Sequence, residues 1–389
     1  MNRKSSTKNV SQRLPSVETR NNTEHISGDS QFFRYEIIAA LLGNKNLDIR
    51  LSDSLSPAQI NFVRFIDRLT DGTHFEVSPD SRRLQMSPGV IIGGTFTHQC
   101  VPQRGVGYWI EAACILCPFA KKPSEISFAQ CVTNRSGDVG YDIIRTVTLP
   151  IIKKFGIEGT VQLKKRCCMS RDLENLEEAD GLVVFSLSNV RVLDEFQPVP
   201  AGFIKRVRGI AYGVRVAPDL CNQTATSTKG ILLKLLPDVY ILTDIDNKKA
   251  SQEERKPPGA GYGLCLITES TTRGAAYSAE ELAAPLESPE DLAMRCVNQL
   301  LKEIQIGGAI DRNHQAMCAF LMGLANDMPS RAFFGTELSA ASRYLIEHIL
   351  PNIFHVKFMK RSMISESESP HLEVTCIGAR LVNSFKQSS

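Results

Sequence analysis

A recurring order of apolar periodicities constrains the fold of this chain more than any other feature of its sequence. From residue 31 onward the pattern favours a helix, a strand, a second helix and two further strands. The first round predicts helices over 31–42 and 56–70 and strands over 46–51, 73–78 and 82–87. Ser56 followed by Pro57 is typical of a helix start, with serine as the N-cap and proline in the first turn.

The same order returns twice, which indicates internal repetition. After a strand over 95–101, the second round predicts helices over 105–119 and 138–155 and strands over 124–132, 159–168 and 181–188. The third round predicts helices over 311–326 and 338–349 and strands over 331–336, 353–361 and 372–382. Three similar units predict an α+β body in which a unit of one sheet and two helices occurs three times.

The segment between the second and third rounds follows a different order. It predicts strands over 203–216, 238–245 and 261–269 and helices over 224–236 and 289–304. We interpret residues 203–306 as a small α/β domain inserted into a body formed by 28–202 and 307–389. Residues 1–27 are polar and mildly basic, so burial could not offset the entropy of ordering them, and we predict a disordered tail.

Composition is typical of a soluble intracellular protein. With 389 residues, of which 42% are hydrophobic, the chain can bury a large core. No apolar run reaches the length of about eighteen residues that spans a bilayer, and the start lacks a secretion signal, so we expect no membrane segment. The eleven cysteines lie in apolar elements, and we interpret them as buried thiols. Cys114 and Cys117 have redox or zinc spacing, but no second pair accompanies them.

The charge pattern leaves nucleic-acid binding open. A formal net charge of +3 does not indicate it by itself, because clustering on one face is what matters. We consider two alternatives for the local clusters, an RNA-facing surface or solvated strand faces. The clusters are Lys164-Lys165-Arg166 and Lys205-Arg206 with Arg208 and Arg215.

Several stretches resemble the RNA 3'-terminal phosphate cyclase superfamily, in the same order along the chain. Arg83–Gly89 followed by Gly93-Gly94 is similar to the family's connection between its first two units. The run from Ile143 to Ile157 is similar to the long helix of the second unit and its exit. Two stretches resemble the cyclase-like ribosome-assembly branch rather than the enzymes: Pro258–Leu264 with Glu269–Thr272, and Cys376–Arg380.

The resemblance implies a fold and a chemistry. The family fold has three repeated units, each a sheet with two helices, and a smaller inserted domain of thioredoxin-like arrangement. Its enzymes attack ATP with a histidine and pass the adenylate to an RNA 3'-phosphate, since imidazole is nucleophilic when neutral and leaves readily when protonated. The family places this histidine at the strand-to-helix junction of the third unit, which here reads GTELSAAS over 335–342. His348 lies about ten positions further on, on the order of 15 Å away.

Two further positions depart from the enzymes. The family's segment of three glycines and a glutamine reads here as Gly28-Asp29-Ser30-Gln31, where side chains fill the space for nucleotide and Asp29 adds negative charge. The family's Asp-Gln pair reads as His314-Gln315, and we interpret His314 as a capping or hydrogen-bonding residue of a packed interface. We therefore predict a pseudoenzyme without catalytic residues, cofactor or metal.

Some polar residues at family positions remain. The resemblance implies that they form a vestigial anion or RNA pocket, since arginine can bind phosphate through two parallel hydrogen bonds without a catalytic partner. Ordinary salt bridging is the alternative. The residues are Gln31, Arg34, Arg50 and Gln315.

The resemblance also implies a function. Members of the cyclase-like branch act in the nucleolus within the small-subunit processome, where they bind a GTPase and support the early cleavages that release the 18S rRNA precursor. The expected partners are that processome GTPase, pre-rRNA and a small nucleolar ribonucleoprotein. The alternatives are a pre-rRNA endonuclease or a divergent RNA 3'-phosphate cyclase, although no acid, base and metal constellation for phosphodiester cleavage is evident.

Overall fold

The computed structural model describes residues 26–28, 32–169, 179–246, 259–274, 276–363 and 370–386. Within these ranges the chain is a mixed α/β protein with several separate sheets. Gln31 and the predicted tail, apart from its last two residues, lie outside the described residues.

The first sheet contains the strands of the first round and one additional strand. Its elements are β1 (Ile26–Gly28), α1 (Phe33–Leu42), β2 (Leu47–Arg50), α2 (Pro57–Leu69), β3 (Thr70–Asp71), β4 (His74–Val77), β5 (Arg83–Ser87) and β6 (Val90–Ile91). The strand order is β1-β2-β5-β4, and β3 and β6 form a separate ribbon. β1 pairs in parallel with β2 and includes the last two residues of the predicted tail. The predicted start of α2 is confirmed, because Ser56 and Gln59 form a reciprocal capping box.

The second sheet also follows the predicted order. Its elements are β7 (Gly94–Gln99), α3 (Gly107–Leu116), β8 (Ser124–Cys131), α4 (Tyr141–Ile143), α5 (Leu149–Lys153), β9 (Gly159–Lys165) and β10 (Gly181–Leu187). The strand order is β7-β8-β10-β9, so β9 and β7 are its outer strands. A π-helical turn over Ile144–Thr148 joins α4 and α5 into the single helix that the sequence predicts.

The segment that the sequence analysis interprets as an insertion forms a separate sheet and most of a second hydrophobic cluster, while some of its side chains, such as Tyr212, join the main core. Its elements are β11 (Ile204–Val214), α6 (Pro218–Leu232), β12 (Val239–Asp246), β13 (Gly261–Ser270), β14 (Ser278–Leu282) and α7 (Pro289–Ile306). The strand order is β12-β11-β13-β14, with β11 and β12 parallel. The predicted bounds of the helix over 224–236 are wrong, because Pro218 begins it and Leu232 ends it. Its polar first turn hides the helical period, whereas the fixed φ of proline suits the first helical position.

The third sheet has three described strands. The elements are α8 (Arg312–Leu324), β15 (Pro329–Phe334), α9 (Ala340–Tyr344), α10 (Leu350–Phe354), β16 (Phe358–Met363) and β17 (His371–Ile377). The strand order is β15-β17-β16.

The predicted end of the helix at residue 349 is wrong, because a π-helical turn carries it past a proline. The turn covers Leu345–Ile349, and α10 continues it with Pro351 in its first turn. Proline lacks an N–H and clashes with the carbonyl four residues before it, and the wider π turn removes that conflict. The same arrangement precedes Pro150 in the second unit. The following strand therefore begins at Phe358, later than predicted.

The main core lies between the sheets and their helices, with Trp109 among its largest fully buried side chains. All eleven cysteines are buried free thiols, which confirms that prediction. Among the helices of the described ranges, none combines the length and the apolar character needed to cross a bilayer.

Candidate functional site

A cavity of about 250 Å³ lies where helices of the body meet the inserted domain. Two features that the resemblance to cyclases singled out, Arg34 and the junction over 335–342, both contribute to its wall. Its lining consists of Arg34, Tyr35, Arg104, Gly107, Glu111, Gly137, Asp138, Val139, Ile143, Glu280, Gln299, Arg312, Asn313, Ala316, Ser339 and Ala341.

Arg34 is engaged by groups of its own chain. Its Nη2 lies 2.5 Å from Glu111 Oε2, and its Nη1 donates to the Tyr108 carbonyl at 2.6 Å. The Tyr35 hydroxyl donates to the other Glu111 oxygen at 2.6 Å. Burial by itself would lower the pKa of Arg34, but the carboxylate of Glu111 raises that pKa above its usual range. The guanidinium is therefore a permanent cation in an internal ion pair.

The other two arginines of the cavity are also paired. Arg104 Nε donates to Asp138 at 2.9 Å, and its guanidinium lies 4.1 Å from the centre of the Tyr108 ring. Arg312 Nε donates to Glu303 at 2.7 Å. Each cation of the lining therefore faces a carboxylate, and little positive charge is left for an added anion.

Gln315 holds the strand-to-helix junction of the third unit in place. Its side chain is fully buried, and its amide donates to the Glu337 carbonyl at 3.3 Å and accepts from the Ser339 N–H at 2.9 Å. Ser339 in turn caps α9 by accepting from the Ser342 N–H. The ring of His348 packs against Tyr344, with centres 5.2 Å apart, and does not belong to the lining.

His314 has the structural role that the sequence analysis favours. Its ring lies 2.5 Å from Asp311 Oδ1 and 2.9 Å from the Thr148 hydroxyl. Burial alone would lower the pKa of His314, but the Asp311 carboxylate raises it. The order hydroxyl, imidazole and carboxylate resembles a catalytic triad, but all three residues are buried, so a substrate cannot reach them. Their hydrogen bonds instead join the start of α8 to the π turn over Ile144–Thr148.

The four residues of the predicted anion pocket do not all meet. Arg34 lines the cavity, and Gln315 lies behind it through its bond to Ser339. Arg50 is exposed at the end of β2, opposite Arg83 in the register with β5, and is not part of the lining. Gln31 lies outside the described residues. An anion site formed by these four residues stays a prediction.

Glu280 is a residue of the cavity that the sequence analysis missed. One oxygen, Oε1, accepts from Asn134 at 2.6 Å and from the Tyr212 hydroxyl at 2.9 Å. The other, Oε2, is shielded from solvent and lacks a hydrogen-bond partner among the described residues. A Cβ on Gly140 would lie 2.1 Å from that oxygen, so glycine is needed there. No local signal indicates Glu280, because β14 is a short strand that the periodicity does not predict.

The predicted basic clusters are largely compensated. Arg166 is 4% exposed and pairs at 2.7 Å with Asp142 of the body and with Asp244 of β12. Four other members of the clusters are paired with carboxylates on or near the strand surfaces, namely Lys165, Arg206, Arg208 and Arg215. Most of this positive charge therefore belongs to ion pairs, and Arg166 is buried.

The sequence pattern of the RNA 3'-terminal phosphate cyclase family matches residues 25–359. The chain belongs to this family. A mouse RNA 3'-terminal phosphate cyclase-like protein is 33% identical over 372 residues, which cover 91% of this chain and 95% of the relative. A probable cyclase-like protein of Dictyostelium discoideum is 35% identical over 373 residues, or 90% and 95% of the two chains. The rRNA processing protein RCL1 of Saccharomyces cerevisiae is 26% identical over 368 residues, or 92% and 96%.

The described part of this cyclase-family chain contains no group of three or more His, Cys, Asp or Glu side chains arranged to hold a metal ion. The cavity presents to a ligand three arginines that are already paired with carboxylates, and one oxygen of Glu280 that has no hydrogen-bond partner among the described residues. That arrangement favours internal stability over the binding of a polyanion.

We predict that Arg34→Ala lowers the free energy of unfolding by about 2 kcal/mol, because it leaves the partly buried Glu111 without its cation. Arg50→Ala is the matched control and should change stability by less than about 0.5 kcal/mol, since its side chain is exposed. Denaturant unfolding followed by circular dichroism measures both. Wild-type stability of Arg34→Ala, together with weakened binding of RNA, would instead assign Arg34 to an anion site.

We also predict an effect of pH that depends on Glu280. Burial raises the pKa of this carboxyl from its usual value of 4.5 to about 7. The folded state therefore binds the proton more tightly than the unfolded state. The stability that protonated Glu280 contributes is complete below pH 4.5 and is lost as the pH rises through about 7. Glu280→Gln mimics the protonated form and should be more stable than wild type at pH 8, by up to about 3 kcal/mol.

The control for this substitution is Glu290→Gln, at an exposed position in the first turn of α7. Unfolding curves at several pH values between about 5 and 8 would compare the three proteins. If Glu280→Gln and wild type lose stability in parallel as pH rises, the carboxyl does not titrate in this range.

Proposed function

We propose that this chain is a non-catalytic assembly factor of the nucleolar small-subunit processome, needed for the early pre-rRNA cleavages that yield 18S rRNA. Relatives from Saccharomyces cerevisiae and Schizosaccharomyces pombe that align over most of the chain are named rRNA processing proteins. Those names support a role in rRNA processing, and with it a nuclear and nucleolar location. The proposed partners are a processome GTPase, pre-rRNA and a small nucleolar ribonucleoprotein.

The charge balance of the cavity carries the non-catalytic part of the proposal. Its three arginines are each paired with a carboxylate of the same chain, and Glu280 adds a further acidic group. A triphosphate or an RNA 3'-phosphate is bound through arginines that remain available to it. In this cavity such a ligand would have to break ion pairs and lie beside carboxylates.

The junction of the third unit supports the same conclusion. The resemblance implies that the segment over 335–342 would carry the nucleophile. Ser339 and Ala341 of this segment line the cavity, and the segment contains no histidine. The Ser339 hydroxyl caps α9 and bonds to Ser342 at 2.6 Å. Without an imidazole at this position the covalent nucleotidyl intermediate cannot form by the family's route.

The proposal also includes the architecture that the resemblance implies. In it, three copies of one sheet-and-two-helix unit form the body, within the limits 28–202 and 307–389. Residues 203–306 are a thioredoxin-like insertion. Arg34 and Gln315 are then vestiges of a nucleotide site whose polar groups now bond within the protein.

We predict that the purified protein, incubated with radiolabelled ATP, retains no acid-labile nucleotide after denaturation. The physical reason is the missing imidazole nucleophile. An active cyclase treated in parallel serves as the positive control. Covalent label on this chain at a level comparable with that enzyme would refute the pseudoenzyme proposal.

Depletion of the protein in its own cells should lower mature 18S rRNA and leave the large-subunit rRNA nearly unchanged. Northern blots of precursor and mature species measure both, and re-expression of the wild-type chain should restore 18S rRNA. Because the proposed role is structural, Ser339→Ala should restore it as well. Equal loss of both subunits' rRNA on depletion would contradict a small-subunit role.

A further inference from the structure

A second depression, separate from the cavity, has a larger volume than the cavity. It is a groove of about 930 Å³ in the second unit, between α5 and the neighbouring ends of β7, β8, β9 and β10. Its apolar surface includes the half-buried Leu149 and the exposed Pro123 and Pro150. Ile157 and Leu187 also belong to the lining but are almost completely buried. A concave apolar surface of this size that remains open to solvent is typical of a binding site.

Cations on the rim of this groove have no carboxylate partner within the described part of the chain. Arg145, Lys153 and Lys154 line it, and none of them forms an ion pair with a described residue. In this respect they differ from the arginines of the cavity, which are all paired. Lys154 is half-buried, with its Nζ 5.4 Å from the centre of the Phe196 ring, and burial lowers the pKa of its amine. An anion beside it would offset that cost of desolvation.

The groove continues toward the inserted domain. Arg145 also lines a cleft of about 290 Å³, together with Leu163 of β9 and Leu242 of β12. Both strands are outer strands of their sheets, each with a single neighbour. The surface made by the groove and this cleft, here called the β9 groove, therefore offers aliphatic contacts, unpaired cations and strand edges along one path.

We propose that the β9 groove binds an extended segment of another protein that combines acidic and aliphatic side chains. Aliphatic residues of the segment fill the groove between α5 and the sheet, and its carboxylates pair with Arg145, Lys153 and Lys154. The proposal rests on this surface and is independent of the proposed role in rRNA processing.

The composition of the groove favours a peptide over RNA. Single-stranded RNA is bound through aromatic side chains that stack on bases. The described lining of the larger part of the β9 groove has no aromatic residue, and Tyr141 in the cleft is buried. Glu125 and Glu158 also lie in the lining. A peptide can place its few carboxylates beside the cations and away from these two groups, whereas RNA carries a charge at every nucleotide.

The chain's own N-terminal segment is a poor occupant. Residues 1–25 contain five Lys or Arg residues and two Glu residues, so their net charge has the same sign as the unpaired cations of the rim. Like charges disfavour that association.

A random library of peptides of about twelve residues, which are about 40 Å long when extended, is screened for binding to the immobilised full-length protein. We expect enrichment of sequences with Asp or Glu interspersed with Leu, Ile or Val. The best peptide is then synthesised, and its Kd is measured by fluorescence anisotropy for wild type and variants at two salt concentrations. A single-stranded RNA of random sequence is measured in parallel as competitor.

Two variants alter the groove. A third is the control, with the same change in net charge as the triple substitution but at positions outside the lining. Arg145→Glu/Lys153→Glu/Lys154→Glu should raise the peptide's Kd about tenfold or more and flatten its dependence on salt. Thr160→Trp, at an exposed lining position, should raise the Kd by obstruction without altering the core. Lys205→Glu/Lys302→Glu/Lys357→Glu changes net charge equally at exposed positions outside the lining and should leave the Kd within about twofold.

Several results would overturn the proposal. Enriched peptides without acidic residues, or no enrichment over an unrelated protein, would mean that the groove does not select this chemistry. Unchanged affinity of Thr160→Trp, in a variant with wild-type circular dichroism and unfolding midpoint, would place the binding elsewhere. Displacement of the peptide by RNA at lower concentration than by unlabelled peptide would identify the surface as a nucleic-acid site instead.

Discussion

The buried guanidinium of Arg166 joins two sheets of the fold, because it lies just after β9 and pairs with a carboxylate of β12. It pairs with Asp142 of the body and with Asp244 of β12 while remaining almost completely shielded from water. A cation so far from solvent is tolerated only when carboxylates are fixed beside it, because the cost of an unpaired buried charge is several kcal/mol. Glu280 adds a second connection through Asn134. Together these contacts link the sheet of β11–β14 to the sheet of β7–β10, with Glu280 of β14 in the wall of the cavity.

Pairing of charges separates the two concave regions of the molecule. In the cavity lined by Arg34 and Ser339, every arginine of the lining has a carboxylate within hydrogen-bond distance, so these charges bond within the protein. On the rim of the β9 groove, three cations stand beside aliphatic surface without such partners among the described residues. The first arrangement leaves little positive charge for an added anion, and the second suits a surface that binds another molecule.

The sequence predicts an element accurately when a local apolar period defines it, and less accurately when pairing or packing with distant residues forms it. The strand predicted over 261–269 and the helix predicted over 289–304 differ from β13 and α7 by one and two residues, because their apolar period persists over many positions. β14 was not predicted, since its five residues include two glutamates and its strand conformation depends on pairing with β13. The continuation of the third unit's helix past Pro351 was also missed, because a π turn is a response to packing and leaves no periodic signal.

The sequence by itself determined the order of the longer helices and strands, the family resemblance and the absence of histidine from the junction over 335–342, because each of these is carried by neighbouring residues. Only the tertiary structure decided what the polar residues do. Arg34 and its partner Glu111 are 77 positions apart, and Arg166 and Asp244 are 78 apart. Whether an arginine binds a phosphate or a carboxylate of its own chain depends on which groups the fold brings within about 3 Å of it. Local periodicity carries no information about that distance. Only the folded chain therefore shows that Arg34 pairs with Glu111 and that Arg145 has no carboxylate partner among the described residues.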